Sequence, residues 1–345
     1  MFVTVALSIV ALLHYYTWAR LVRDSALATP WSYGLTALLI LAAIGTPVGL
    51  LLRRKVAASI STPVAWLTYL WMGSMFLLVV VLGASDVLRW VSTGVAKLTH
   101  APWDISDTKR RQFMAQILGA TAVMTTLGLS SIAFCAARSI PKLRKVRVGL
   151  KRLPTAMVGT TLVQITDLHV GPTIGRKRVE ELVQRTNALK PDIVAITGDL
   201  VDGTVEELRD AVAPLAGLRA RYGTYFVTGN HEYYSGATAW IAYLNTLGIR
   251  VLRNERVSIG DGENSFDLAG VDDASAHRFL RDHGTDVAKA VAGRDPSREL
   301  ILLAHQPKVI EEAAKHGVGL QHCGHTHGGQ IWPFRYIVTM VQPYF

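Results

Sequence analysis

Long stretches with no Asp, Glu, Lys or Arg dominate the first part of the chain, and short apolar stretches mark the second. Met1–Ala19, Pro30–Leu52, Val56–Ser85 and Gln112–Ala137 are the four long runs. Each reaches about the 20 residues that a helix needs to cross a hydrocarbon core. Four membrane-spanning helices are therefore expected over 1–137. Trp18, Trp31, Tyr33, Trp90 and Trp103 lie near the run ends, where amphipathic rings favour the headgroup level. A cleaved leader would be a single, shorter run and does not account for four.

After a basic stretch over 138–160 the pattern changes period. TLVQIT (161–166), DIVAIT (192–197), TYFVT (224–228), FDLAGV and ELILLAH read as short strands. Between them RKRVEELVQRTNALK (176–190), a segment across Glu206–Arg221 and ATAWIAYLNTLG (237–248) read as helices. Pro191 and Gly248 end two of these helices. Such alternation predicts an α/β domain over 161–345 whose sheets are covered by helices.

Charge follows the same division. Residues 1–152 hold 17 Lys and Arg against 4 acidic residues, a net of +13, whereas the remainder holds 19 against 22, a net of −3. Basicity thus belongs to the membrane part and its linker, where anionic headgroups are the natural partner. The slightly acidic soluble part gives no electrostatic footprint for nucleic acid. RSIPKLRKVRVGLKRLP, which opens the soluble part, carries seven basic residues and no acid. Its KVRVGL alternates like a strand, so a lipid-facing linker and a decorated leading strand are both open. Two cysteines, Cys135 and Cys323, make no disulfide framework. Cys323 reads as a small buried residue beneath the site, with a soft metal ligand as the alternative.

Each strand runs into a polar cluster. DLH supplies Asp167 and His169, GDLVDG supplies Asp199 and Asp202, and GNHE supplies Asn230, His231 and Glu232. LAH supplies His305, and CGHTHGGQ supplies His325 and His327. Ligands gather at the carboxyl ends of strands in α/β sheets, so the five clusters are expected to converge. Asp167 and His169, two apart, are expected on one side of an extended segment. Gly198, Gly229 and Gly324 are expected where backbone closely approaches the cluster. Carboxylate, imidazole and amide oxygen suit Mn, Fe, Zn or Mg, and no thiolate set for structural zinc accompanies them. Seven ligands for two ions, one carboxylate shared, fit a two-metal phosphoester-cleaving site.

DLH, GDLVDG, GNHE, LAH and GHTH, in that order, resemble the calcineurin-like metallophosphoesterases, and most of all their membrane-anchored bacterial branch. The resemblance covers roughly 162–333, tightened by ITDLHVGPTIG, VTGNHEYYSG and LAGVDD. It implies an αββα sandwich preceded by the four-helix all-α membrane region. It also implies roles: Asp167, His169 and His327 on one divalent ion, Asn230, His305 and His325 on the other, and Asp199 bridging. His325 and His327 then face different ions, with Thr326 pointing away between them. His231 would be the general acid for the departing oxygen. Asp202 would orient a ligand or neighbour, with a helix N-cap as the alternative because VEEL follows it. Asp272 and Asp273 match the family string as substrate contacts or as turn residues. His277, His283, His316 and His322 read as solvated or structural, and His14 as an interfacial anchor, with a proton relay in the membrane as the other possibility.

Family members usually continue for some tens of residues past GHTHGGQ, so the chain ending at Phe345 is expected to be a fragment or an unusually short member, lacking a sheet edge and one cleft wall. Basic residues in the loops divide on the side of the membrane: 10 against 7 favour a cytoplasmic domain, and 5 against 7 oppose it if Arg144 onward belongs to the folded strand. KRRQFM (109–114) resembles a twin-arginine export signal and tips the expectation outward. The expected activity is hydrolysis of a phosphodiester or pyrophosphate bond, with a lipid-linked substrate such as that of UDP-2,3-diacylglucosamine hydrolases suggested by resemblance. A catalytically silent metal-binding scaffold or sensor is the rival.

Overall fold

The structure is a computed structural model that describes residues 2–52, 56, 58–99, 107–139, 141–329, 333–342 and 344. Trp103, the 53–55 loop, Gln330 and Phe345 lie outside the described residues. The chain divides into two compact units, Met1–Arg144 and Lys145–Phe345.

Among the described residues the first unit holds four helices long and apolar enough to cross a membrane: α1 (Phe2–Trp18, continued as a π-helix over Ala19–Arg23), α2 (Trp31–Leu52), α3 (Ala58–Leu98) and α4 (Thr108–Arg138). The protein is a membrane protein. Helix α3 runs past its uncharged stretch, through Asp86 to Leu98. Buried Asp86 accepts from Tyr16 Oη at 2.8 Å and from Arg20 Nε at 2.9 Å. His14 is not an interfacial anchor but buried in the bundle, where Trp71 Nε1 donates to its Nε2 at 3.0 Å.

The second unit carries β1 (Leu162–Ile165), α5 (Arg176–Ala188), β2 (Ile193–Thr197), α6 (Val205–Val212), β3 (Thr224–Val227), α7 (Asn230–Ser235), α8 (Ala237–Thr246) and β4 (Arg250–Val251). There follow β5 (Glu255–Asp261), β6 (Asn264–Gly270), α9 (Val287–Ala290), β7 (Leu300–Leu303), α10 (Ile310–Lys315), β8 (Leu320–His322) and α11 (Phe334–Val341). Two four-stranded sheets result: β1-β2-β3-β4, all parallel, and β5-β6-β7-β8, antiparallel only at the β5–β6 hairpin.

Period-two alternation explains the layering. On β2, Val194 and Ile196 face a cluster with Val179, Trp240 and Leu244 of the outer helices, while Ile193 and Ala195 face the second sheet. On β7, Ile301 and Leu303 point to the inter-sheet core with Phe266 and Leu268, and Leu300 and Leu302 point to Val287, Val309 and Ala313. Three apolar layers between four layers of secondary structure make an αββα sandwich.

Two expectations are corrected here. KVRVGL forms no ladder strand: residues 141–149 are exposed on both alternating faces, so neither side has a core to bury, and only Leu150 and Leu153 pack onto the inter-sheet cluster. The helix expected across Glu206–Arg221 ends at Val212 and gives way to a 3-10 turn over Ala213–Gly217, because Pro214 cannot donate to a continuing α-helix.

Candidate metal centre

Strand β1 ends at Ile165, β2 at Thr197, β3 at Val227 and β7 at Leu303, and the polar clusters just beyond them meet in one place. Asp167, His169 and His327 form one group whose donor atoms lie within metal-sharing distance, and Asp199, His305 and His325 form another. His169, Asp199 and His231 make a third that links them. His327 Nε2 sits 3.3 Å from Asp167 Oδ1 and 3.1 Å from His169 Nε2. His305 Nε2 sits 3.1 Å from Asp199 Oδ2 and 3.3 Å from His325 Nδ1. The two histidines of GHTH thus join different groups.

The backbone that delivers these donors is bent rather than extended. Asp167, His169, Asp199, His325 and His327 all have positive φ, between 48° and 71°. Aspartate and histidine are among the few non-glycine residues that enter this region readily. Asp167 and His169 reach the same group, but through two left-handed residues, not along a strand as expected. Close approach does require glycine beside them. A Cβ on Gly229 would overlap the Asp199 carboxylate and backbone nitrogen, and one on Gly324 would overlap Thr166 Oγ1 and the Asp167 carboxylate.

The donor set fits a metal on its own geometry. Asn230 is 8% exposed, yet its Oδ1 has no hydrogen-bond partner. Leaving a buried acceptor without a donor costs about 1–3 kcal/mol, and an oxygen-seeking cation would satisfy it. The facing imidazole nitrogens, 3.1 Å and 3.3 Å apart, likewise suit a shared cation better than one another. Burial opposes charge on Asp199, but the hydrogen bond and charge of His305 hold its carboxyl below the usual range. His305 is held correspondingly high by Asp199 against its burial. Burial pushes His325 and His327 down; His305 adds to this at His325, and at His327 the Asp167 charge opposes it while His169 adds to it.

Asp202 settles between its two expected roles. Thr204, not Asp202, caps α6, in a capping box with Glu207. Asp202 Oδ1 instead meets His231 Nδ1 at 2.5 Å and His169 Nδ1 at 3.1 Å. A carboxylate is acceptor-only when ionised, so it draws the proton to Nδ1 of both rings and leaves their Nε2 atoms turned toward Asp199, each 3.9 Å from its Oδ2. Its own carboxyl is held far below the usual range: burial opposes ionisation, and the two histidines outweigh it. Asp202→Asn, which turns one acceptor into a donor, is expected to weaken Mn²⁺ affinity about 10- to 100-fold. Calorimetric Mn²⁺ titration checks this, and unchanged affinity would count against the role.

Glu232 escaped sequence reasoning. It is 0% exposed and accepts three backbone N–H bonds, from Asp199 at 3.0 Å, Leu200 at 2.8 Å and Gly229 at 2.6 Å. It therefore clamps the loop after β2 to the loop after β3. Burial, and then the Asp199 charge, push its carboxyl up to about 7. Asp272 and Asp273 are structural: Arg253 grips Asp272 at 3.0 Å and 2.8 Å, and Asp273 takes both Ser275 and Gln306. His283 bonds Tyr233, His316 meets Glu312, His322 meets Gln164 and His277 is exposed. Cys323 lies partly buried on a cleft of about 470 Å³ that also takes in Asp167 and His327.

A family model described as calcineurin-like phosphoesterase matches residues 160–329. The chain is 42% identical over 236 residues to a Bos taurus transmembrane protein with metallophosphoesterase domain, covering 66% of this chain and 53% of that one. It is 36% identical over 236 residues to an uncharacterized metallophosphoesterase of Helicobacter pylori, covering 68% and 62%. To an uncharacterized metallophosphoesterase of Aquifex aeolicus it is 34% identical over 226 residues, covering 66% and 80%. The chain spans about half the length of the first of these curated relatives.

Proposed function

The chain belongs to the calcineurin-like metallophosphoesterases, and from that premise we propose that it is a membrane-anchored two-metal phosphohydrolase acting on a phosphodiester or pyrophosphate bond. The observation that carries the reading is the convergence of Asp167, His169, Asp199, His305, His325 and His327 on one site, with the side-chain oxygen of Asn230, the residue just before His231, buried and unsatisfied. Bound divalent ions supply Lewis acidity toward a phosphoryl oxygen and an activated water. The side chains do the rest. Asp199 lies between the two ligand groups, and its carboxylate is kept ionised to hold both. His231, presented at the first residues of α7 with its Nδ1–H held by Asp202, turns Nε2 to the site and, when it carries a second proton as the imidazolium, donates the Nε2 proton to the departing oxygen and returns to the neutral Nδ1–H ring.

A lipid-linked phosphate is the proposed substrate class, supported by the four membrane helices in the same chain. The diphosphate cleaved by UDP-2,3-diacylglucosamine hydrolases is a candidate by resemblance. KRRQFM supports an extracytoplasmic catalytic unit, against the loop count, which stays at 10 to 7 for the cytoplasm because KVRVGL is not a strand. Protease digestion of the second unit in intact cells, without permeabilisation, is the expected sign, and full protection would reverse the assignment.

The test of the activity is hydrolysis of bis-p-nitrophenyl phosphate by detergent-purified chain with added Mn²⁺. Turnover abolished by chelation and restored by Mn²⁺ is expected. His231→Ala should lower kcat about 10²- to 10⁴-fold with Mn²⁺ still bound. Two bound Mn²⁺ without turnover would support the silent scaffold instead.

A further inference from the structure

Beside His231 the protein leaves two aromatic rings half open to solvent. Tyr234 is 50% exposed and Phe279 46% exposed. Scattered exposed apolar residues need no explanation, but these two form a continuous surface that begins at the site. The Tyr234 ring lies 5.2 Å from the His231 ring, and the Phe279 ring 5.3 Å from Tyr234, edge to face at 67°.

This surface is held in place from behind. Tyr233, the inward-facing neighbour on α7, is buried against Ala237 and Ala276, with its ring 6.1 Å from Phe279. Its hydroxyl is fixed by Thr228 at 3.3 Å and His283 at 3.0 Å. Gly236, with φ of 95°, ends α7 directly after Ser235. One tyrosine is spent on anchoring and the next is kept at the surface.

We propose that Tyr234 and Phe279 form a shelf that binds an apolar leaving group. The inference rests on the phosphohydrolase reading above. A general acid stands next to the oxygen it protonates, so whatever that oxygen carries lies over the residues beside His231. Ring faces and edges favour apolar or planar bodies and offer little to a hydrated sugar or a small alcohol. The shelf thus selects the part of the substrate that departs, and the ligand groups hold the phosphoryl end.

Methyl-, butyl- and benzylphosphonate, titrated calorimetrically into full-length detergent-solubilised chain with saturating Mn²⁺, read the shelf without requiring turnover. Butyl- or benzylphosphonate is expected to bind about tenfold or more tighter than methylphosphonate. A benzyl preference alone assigns a planar leaving group, and a butyl preference at least as large assigns an aliphatic one. Tyr234→Ala and Phe279→Ala should each bring the preference to within about threefold, and Tyr234→Phe should retain it. Equal binding of all three phosphonates, or a preference that survives both alanine variants, overturns the shelf. Absent hydrolysis of bis-p-nitrophenyl phosphate would count against the enzyme reading instead, so the two failures are separable.

Discussion

Asp199→Asn is expected to lower Mn²⁺-dependent turnover about 10³-fold or more and to leave fewer Mn²⁺ bound per chain. The substitution keeps the shape of the side chain and removes its charge. Asp199 Oδ1 accepts from the His231 backbone nitrogen at 2.9 Å, while Oδ2 faces His305 Nε2 at 3.1 Å. An asparagine preserves one of those contacts at the cost of the other, because its amide nitrogen must occupy one oxygen position. The residue is 2% exposed, so water cannot replace the lost charge. Elemental analysis alongside rate measurements checks the prediction. Full turnover with undiminished Mn²⁺ would remove Asp199 from the bridging position.

The second large effect falls on folding. Glu232→Ala leaves the backbone nitrogens of Asp199, Leu200 and Gly229 without acceptors in a region closed to solvent. At about 1–3 kcal/mol for each of the three orphaned donors, the loss should total about 3–9 kcal/mol. For a unit of this size that lowers Tm by about 6–36 °C, read from a thermal melt of the detergent-solubilised chain. Glu232→Gln retains an acceptor oxygen and should fall between the two. An alanine variant within about 1 kcal/mol of the parent would show that the two loops hold their positions without the clamp.

Much of this was legible in the sequence because the signals are local. Uncharged runs of span length gave the four helices, and β-branched runs such as DIVAIT gave strands that the structure places one residue or so inside the expected ends. The donor residues were legible because imidazoles and carboxylates have few reasons to gather at strand ends. The β5–β6 hairpin was missed although a signal exists: ERVSIGD and NSFDLAG are joined by the two-residue loop Gly262-Glu263, and glycine at the first loop position is a hairpin cue. Other features had no local signal. GNHE displays Glu232 as one more polar residue, and only the approach of the β2 loop reveals that it is fully enclosed. Asp202 stands two residues before a true cap, so VEEL could not distinguish cap from ligand-orienting residue. The partners of Asp86 on α3, Tyr16 and Arg20, stand more than 60 positions away and had no local signal.

Five of the metal-ligand candidates sit in left-handed backbone, and this sets chemistry against folding. An L-residue held there costs roughly 1 kcal/mol or more relative to glycine. Glycine at 169, 325 or 327 would relax its turn while deleting a donor, whereas at 167 or 199 it would also orphan the His325 or His231 backbone N–H. A lineage freed from the need to bind metal would therefore gain thermal stability by eroding these loops toward glycine, and one that keeps the centre lives below the stability its architecture allows. Directed evolution of this unit for heat resistance alone should be expected to inactivate it first at the turns of His169, His325 and His327.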